Sequence, residues 1–254
     1  MVDAVVLAGG GAEPLTRAEG VSNKAFIDLL GRPMLAYILE ALAGAGPVDK
    51  VIVVGPLREL SGLLEQGYRF TPVAEAGSML ENAAAGLNRS DQERPCLLLT
   101  GDIPLVNEGT ITRFIELCRP FDDDFYYPIL TRESCRERFP QMQRTYVRLR
   151  DGCFTGGNMA LLRPAWFARC RHRLDQFVLY RKKPLKLLRI LPVGLILKFL
   201  FNRLTVGELE RYLSAMFQAR ARAVPCDLVE IGTDVDKTSD LEVVRQALQD
   251  KDRQ

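Results

Sequence analysis

The sequence predicts an α/β layer architecture, and three observations carry that expectation. Short β-branched apolar runs alternate with segments of helical periodicity along most of the chain. The 254 residues are 47% hydrophobic, enough to bury one large core or at most two small ones. The first apolar run, Val5-Val6-Leu7-Ala8, breaks into Gly9-Gly10-Gly11, which reads as a buried strand ending in a tight loop.

Taken in order, Asp3–Ala8 is strand-like, and Pro33–Ala43 reads as a helix opened by proline. Val51–Gly55 is a second buried strand, Ser78–Leu87 is helical, Cys96–Thr100 is another apolar strand and Glu108–Leu117 is helical again. Phe125–Leu130 and Thr145–Leu149 read as strands, and Asp151-Gly152 signals a hairpin into Phe154–Leu162. Pro164–Tyr180 starts as a helix with proline in its first turn. Ala221–Cys226 is expected as the last strand and Ser239–Leu248 as the closing helix. Repeats and low-complexity tracts are missing, so 1–254 reads as one domain with a helical insertion at about 165–220.

The net charge of +2 is near balance and gives no reason to expect nucleic acid as a partner. The charge is unevenly spread: 171–203 holds nine Lys or Arg against Asp175, while 227–254 holds eight acids against four bases. Six widely separated cysteines without a Cys-x-x-Cys pair argue against structural zinc, and are expected as buried thiols in a reducing cytoplasm. Met1-Val2-Asp3 leads straight into a strand, so no signal peptide is expected.

Glycines after a strand let the backbone turn its N–H groups toward phosphate, and a lysine downstream supplies a point charge. The loop is not a P-loop, since no Gly-Lys-Ser/Thr follows. Nor is it a dinucleotide fingerprint, because Pro14 takes the third glycine position. Together with Lys24-Ala25-Phe26-Ile27 and Gly31-Arg32-Pro33-Met34-Leu35, it resembles the signature of MobA-like nucleotidyltransferases. The resemblance implies a three-layer α/β/α fold with a mixed, mostly parallel sheet, the nucleotide-diphospho-sugar transferase (glycosyltransferase-A-like) fold. It covers most of 1–162 and 226–248.

Two carboxylates stand out. Leu97-Leu98-Leu99-Thr100-Gly101-Asp102 is an apolar strand ending in an aspartate, and ligands of open α/β sheets bind beyond the carboxyl ends of strands. In the resembled family the matching aspartate ligates catalytic magnesium. Thr233-Asp234-Val235-Asp236-Lys237-Thr238-Ser239-Asp240-Leu241 resembles the family's late metal-binding segment. Magnesium favours one or two carboxylates together with substrate phosphates, which Asp102 and Asp236 would provide, with Asp234 in support. Either acid of the late segment could equally be a turn residue, and Asp240 reads as a helix N-terminal acid. Asp122-Asp123-Asp124 reads as a solvated acidic loop.

The resemblance further implies nucleotide contacts from Leu7, Ala8, Gly9, Gly10, Gly11, Lys24, Gly77, Ser78 and Asp102, with Lys24, Asp102 and Asp236 catalytic. Ser78 and Glu81 also form a capping-box pattern. Gly156, Gly157 and Asn158 match the acceptor-facing region, where a bulge explains the glycines as well. The arginine usual after the glycine pair is missing at its place, and only Arg17 could serve as that nucleotide contact. Six arginines crowd 132–150, and Arg132 and Arg144 are candidates to hold an anionic acceptor, a solvated edge hairpin being the alternative.

The stretch 185–204, preceded by Arg181-Lys182-Lys183, has an apolar core too short to span a bilayer. It reads as an interfacial helix, a buried hairpin or a homo-oligomer contact through about 181–204. The expected reaction is magnesium-dependent transfer of a nucleoside monophosphate from a triphosphate to an anionic small-molecule acceptor, expected to be phosphorylated, with release of pyrophosphate. The alternatives are a nucleotide-sugar-dependent glycosyltransferase and a non-catalytic nucleotide-binding regulator.

Overall fold

The computed structural model describes residues 1–11, 13–181 and 192–252. Its centre is a nine-stranded sheet built from β1 (Val2–Leu7), β4 (Val48–Gly55), β5 (Thr71–Ala74), β6 (Cys96–Thr100), β7 (Phe125–Thr131), β8 (Val147–Leu149), β9 (Gly152–Gly156), β10 (Met159–Leu162) and β11 (Ala221–Cys226). Two short strands, β2 (Asp28–Leu29) and β3 (Arg32–Pro33), pair separately. The order is β5-β4-β1-β6-β10-β7-β9-β8, with β11 along the other edge of β7. Strands β5, β4, β1 and β6 are mutually parallel, and β10 runs antiparallel between β6 and β7.

The helices are α1 (Pro14–Ala18), α2 (Met34–Gly44), α3 (Leu57–Glu65), α4 (Met79–Leu87), α5 (Glu108–Leu117), α6 (Arg132–Arg138), α7 (Pro164–Arg181), α8 (Val193–Leu200), α9 (Val206–Phe217) and α10 (Thr238–Asp252). Side-chain alternation along the strands decides which helices cover which face. Ala4 and Val6 of β1, Val53 of β4, and Leu97 and Leu99 of β6 join one buried cluster with Leu35, Ile38 and Phe114 of α2 and α5. Val5, Ile52, Val54 and Cys96 point the other way, onto Leu80, Ala83 and Leu87 of α4, Trp166 and Phe167 of α7, and Phe217 of α9. Three layers result, as expected. Helices α7 and α9 thus complete the second outer layer instead of standing apart from the core.

Several bounds differ from expectation for local reasons. The run 154–162 divides at Gly157 and Asn158, whose N–H groups leave the ladder to donate to Pro128 and Ile231 carbonyls. Arg132, Arg136 and Arg138 lie on α6, capped by the Thr131 side chain, and not on a hairpin; only Cys135 of that helix is buried. The hairpin at Asp151-Gly152 forms as β8–β9, with Gly152 at φ 150°. Of the apolar stretch 181–204, residues 182–191 lie outside the described residues, and 193–200 is the helix α8. All six cysteines are free, and burial pushes the Cys96 and Cys118 thiols up to about 12. Among the described residues no helix is long and apolar enough to cross a membrane.

Helix α4 approaches the sheet at a glycine. A Cβ on Gly86 would meet Val5 and come within 2.9 Å of Val54, both buried β-strand side chains. Alanine favours a helix over glycine by about 1 kcal/mol, yet overpacking a tight core costs about 1–3 kcal/mol. Gly86→Ala should therefore lower stability in a chemical denaturation experiment, and a variant more stable than the parent would disprove the close helix–sheet contact.

Candidate active site

The register of β1 against β6 pairs Leu7 with Thr100, so the glycine loop and Asp102 leave the sheet side by side at its carboxyl edge. Gly101 fastens the two, donating its N–H to the Leu7 carbonyl at 2.8 Å, and a Cβ there would meet that same oxygen at 3.1 Å. Lys24 opens a short 3₁₀ turn, Lys24–Phe26, capped by Asn23, whose side chain accepts the Ala25 N–H. The Asn23 amide also donates to the carbonyls of Ala8 at 2.8 Å and Gly10 at 3.3 Å. One buried asparagine thus locks the glycine loop to the turn that carries the lysine. Its role was missed in the sequence, although an asparagine directly before Lys24 has the chemistry of a cap.

The late acidic segment reaches the same edge through one backbone bond. Val235 N–H donates to the Asp102 carbonyl at 3.0 Å, and the Val235 side chain is fully buried against α10. With Val235 anchored inward, Asp234 and Asp236 turn toward Asp102, and oxygens of the three carboxylates lie within 4.8 Å of one another. The Lys24 ammonium sits 2.7 Å from both Asp102 and Asp236. Asp240 belongs elsewhere: its carboxylate accepts the N–H groups of Asp236 and Lys237 and caps α10. The Asp122–Asp124 loop precedes β7, at the strand end opposite the crevice, where Asp124 accepts the Arg220 N–H.

Electrostatics follow from this crowding. Burial opposes the Lys24 charge, but the Asp102 and Asp236 carboxylates outweigh it and hold the ammonium pKa above its usual value. Burial, reinforced by the Asp102 and Asp236 charges, pushes the Asp234 carboxyl up to about 6, with Arg144 partly offsetting them. Arg144 is half-buried beside this turn: it donates to the Thr233 hydroxyl at 3.1 Å, and a Cβ on Gly232 would lie 2.6 Å from its guanidinium.

The other expected residues are dispersed around this centre. Ser78 caps α4 and forms a capping box with Glu81, and Gly77 before it holds φ 121°. Asn82, buried on α4, accepts the Ala76 N–H at 2.6 Å and would stand 2.5 Å from a Cβ on Gly9. Glu75 accepts the Gly10 N–H at 3.3 Å. Asn158 bridges the crevice wall, its N–H on the Ile231 carbonyl and its carbonyl on the Thr100 N–H. The close approaches at Gly156 and Gly157 are made by the protein itself, through Tyr127 and through Ile231 with Pro128. Arg17 stays exposed on α1, and Arg132 pairs with its neighbour Glu133 at 3.5 Å; among the described residues neither is bonded to the acidic cluster.

The raised Asp234 pKa has a consequence for stability. The native state holds this proton more tightly than the unfolded chain, where the carboxyl titrates near 3.8. The resulting stabilisation is complete below that value and is lost as pH rises through about 6. Metal-free Asp234→Asn should therefore melt higher than the parent at pH 8, with the gap closing toward pH 4. Equal melting temperatures at pH 8 would show that the carboxylate is not held against its charge.

Comparison with known proteins bears on the fold and the family. The chain is 35% identical to a hypothetical transferase from Thermus thermophilus, with a TM-score of 0.83 over 94% of this chain and 99% of that one. It is 32% identical to the bifunctional protein GlmU of Rhodospirillum rubrum over 119 residues, which are 44% of this chain and 25% of that protein. The chain spans about a quarter of the length of the curated relatives it matches. A 4-diphosphocytidyl-2C-methyl-D-erythritol synthase from Anaerococcus prevotii shares the fold alone, with 13% identity and a TM-score of 0.59 over 98% of each chain. The sheet is that of the nucleotide-diphospho-sugar transferase fold. The model of the MobA-like NTP transferase domain matches residues 4–203, which include the glycine loop, Lys24 and Asp102 but end before the late acidic segment, and the chain belongs to that family.

Proposed function

We propose that the protein transfers a nucleoside monophosphate from a nucleoside triphosphate to an anionic small-molecule acceptor. The observation that carries this reading is the meeting of Lys24, Asp102 and Asp236 beside the glycine loop at the carboxyl ends of β1 and β6. An acceptor oxygen bonds to the α-phosphorus, the bond from that phosphorus to the β-phosphate oxygen breaks, and pyrophosphate leaves with the electron pair. Such a reaction asks the protein for positioning and charge neutralisation, with no protein nucleophile. The Gly10 N–H, once it exchanges the Glu75 carboxylate for phosphate, the Gly11 backbone and the Lys24 ammonium supply the positive face for the phosphates.

A divalent cation fits the donors present. Three carboxylates with oxygens within 4.8 Å form a hard, oxygen-only set, and magnesium prefers such ligands completed by substrate phosphates. Asp102 and Asp236 would hold it, with Asp234 beside them, and bound there it would neutralise triphosphate charge. Arg144, tied to the turn next to Asp234, is the guanidinium placed to meet an acceptor phosphate or carboxylate. Asn158, with Gly156 and Gly157 behind it, would form the acceptor wall.

Pyrophosphate release should appear when the protein is given magnesium, each nucleoside triphosphate and pooled phosphorylated metabolites. Asp102→Asn and Asp236→Asn should each reduce turnover by about a hundredfold or more, with the double variant little worse than either single one. Triphosphate binding without pyrophosphate in any combination would end the catalytic reading, and sugar transfer from a nucleotide sugar would replace it. Once an acceptor is found, Arg144→Gln should raise its KM by about tenfold while sparing that of the triphosphate. An unchanged acceptor KM would remove Arg144 from the acceptor site.

A further inference from the structure

The crevice uses nothing from the region of α8, and that region has an unusual surface. The sequence of α8 is almost wholly apolar, yet none of its residues is buried. Val193 is 71% exposed, Leu197 48%, Leu200 65% and the following Phe201 71%. Single exposed apolar side chains are ordinary on any protein, whereas these four, with Phe199 among them at 39%, make five within nine residues, a patch that a water-facing surface does not need.

A cationic cavity lies against the patch. It holds about 560 Å³ and is lined by Arg150, Lys198, Arg203 and Arg211, with Glu208 and Asn202. Lys198 is paired with Glu208. Among the described residues no carboxylate lies within ion-pairing distance of the three arginines. The walls are fixed by backbone bonds: Arg150 N–H donates to the Leu204 carbonyl at 2.8 Å, and Val206 N–H to the Asp151 carboxylate at 2.6 Å. Thus the segment after α8 is fastened to the β8–β9 turn, and the arginines are presented by ordered elements.

We propose that this face docks the protein onto an anionic lipid surface, the α8 side chains entering the interface and the arginines meeting lipid phosphates. Apolar side chains next to a cationic rim suit the boundary between acyl chains and headgroups. The surrounding sequence adds long-range attraction to an anionic leaflet, with nine cations and one acid from 171 to 203. A second copy of the chain fits less well, because a two-fold contact would set the cavity lined by Arg150, Lys198, Arg203 and Arg211 against itself. Nucleic acid fits less well too: Phe199 and Phe201 could stack on bases, but Val193, Leu197 and Leu200, which make up the rest of the patch, cannot.

The test is sedimentation of the full chain with vesicles of phosphatidylcholine alone and of phosphatidylcholine mixed with phosphatidylglycerol. The protein should sediment with the anionic vesicles only, and less so at high salt. Leu200→Ser combined with Phe201→Ser should weaken binding at least about tenfold. Arg203→Glu combined with Arg211→Glu should weaken it comparably. Both double variants alter exposed side chains, so their melting temperatures should match the parent and exclude misfolding as the cause. Equal sedimentation with neutral vesicles, or none with anionic ones, would overturn the proposal. So would a solution dimer dispersed by the Leu200→Ser and Phe201→Ser pair, or saturable binding of inorganic phosphate, where vesicles are not bound.

Discussion

The Lys24 ammonium, held 2.7 Å from carboxylates that stand 134 residues apart in the chain (236 − 102), is the contact on which the crevice depends. It joins the turn after the glycine loop, the lip of β6 and the segment leading into α10. Ion pairs of this kind give little net stability, because desolvating the charges offsets much of their attraction. Their value here is geometric. Removing the ammonium would leave two carboxylates facing each other and a third, Asp234, already held above its ordinary pKa. The lip of β6 and the segment leading into α10 would then have a charge reason to separate, where now the lysine turn draws both together.

The charge count around that contact is what supports the proposed binding of a polyphosphate and a cation together. Three carboxylates face one ammonium and, at one side, the Arg144 guanidinium. A further positive charge would relieve the carboxylates, and an added polyanion would in turn be drawn to that charge and to Lys24. Neither ligand alone balances the site as well as both do. The fold sustains this imbalance because its acids are anchored by neighbours and not by each other. Val235 is buried under α10, Asp102 follows a strand locked in the sheet centre, and Asn23 holds the lysine turn.

What could be read from the sequence follows the same division between core and contact. The bounds of β6, α5 and β11 are as expected from the sequence, since runs such as Cys96–Thr100 are apolar because they are buried. Helix α6 was not anticipated, because its residues are nearly all charged and Cys135 alone is buried, so no apolar periodicity marks it. Helix α9 was folded into an undivided insertion, although Thr205 and Glu208 spell its capping box. The convergence of Asp102 with the late acidic segment was anticipated through resemblance and not through spacing. Asn23 and Asn82 escaped attention because each acts on backbone groups whose proximity only the folded chain creates.

The glycines show how the crevice assigns its space. A side chain at Gly9 would strike Asn82, at Gly101 the Leu7 carbonyl, at Gly156 Tyr127, and at Gly157 Ile231. At Gly9, Gly156 and Gly157 the protein's own atoms occupy the place of a Cβ, and at Gly101 the contact would be tight. Gly10 and Gly11 differ, for nothing lies within 4 Å of a Cβ built on either. Packing among the described residues therefore does not account for their lack of a side chain, and backbone freedom explains only Gly10, whose φ is 156°. A ligand approaching the main chain closely would account for both. The same loop of three glycines thus divides its work: the first is fitted against the scaffold, and the next two leave open the face beside Lys24 that the phosphates of a nucleotide would need.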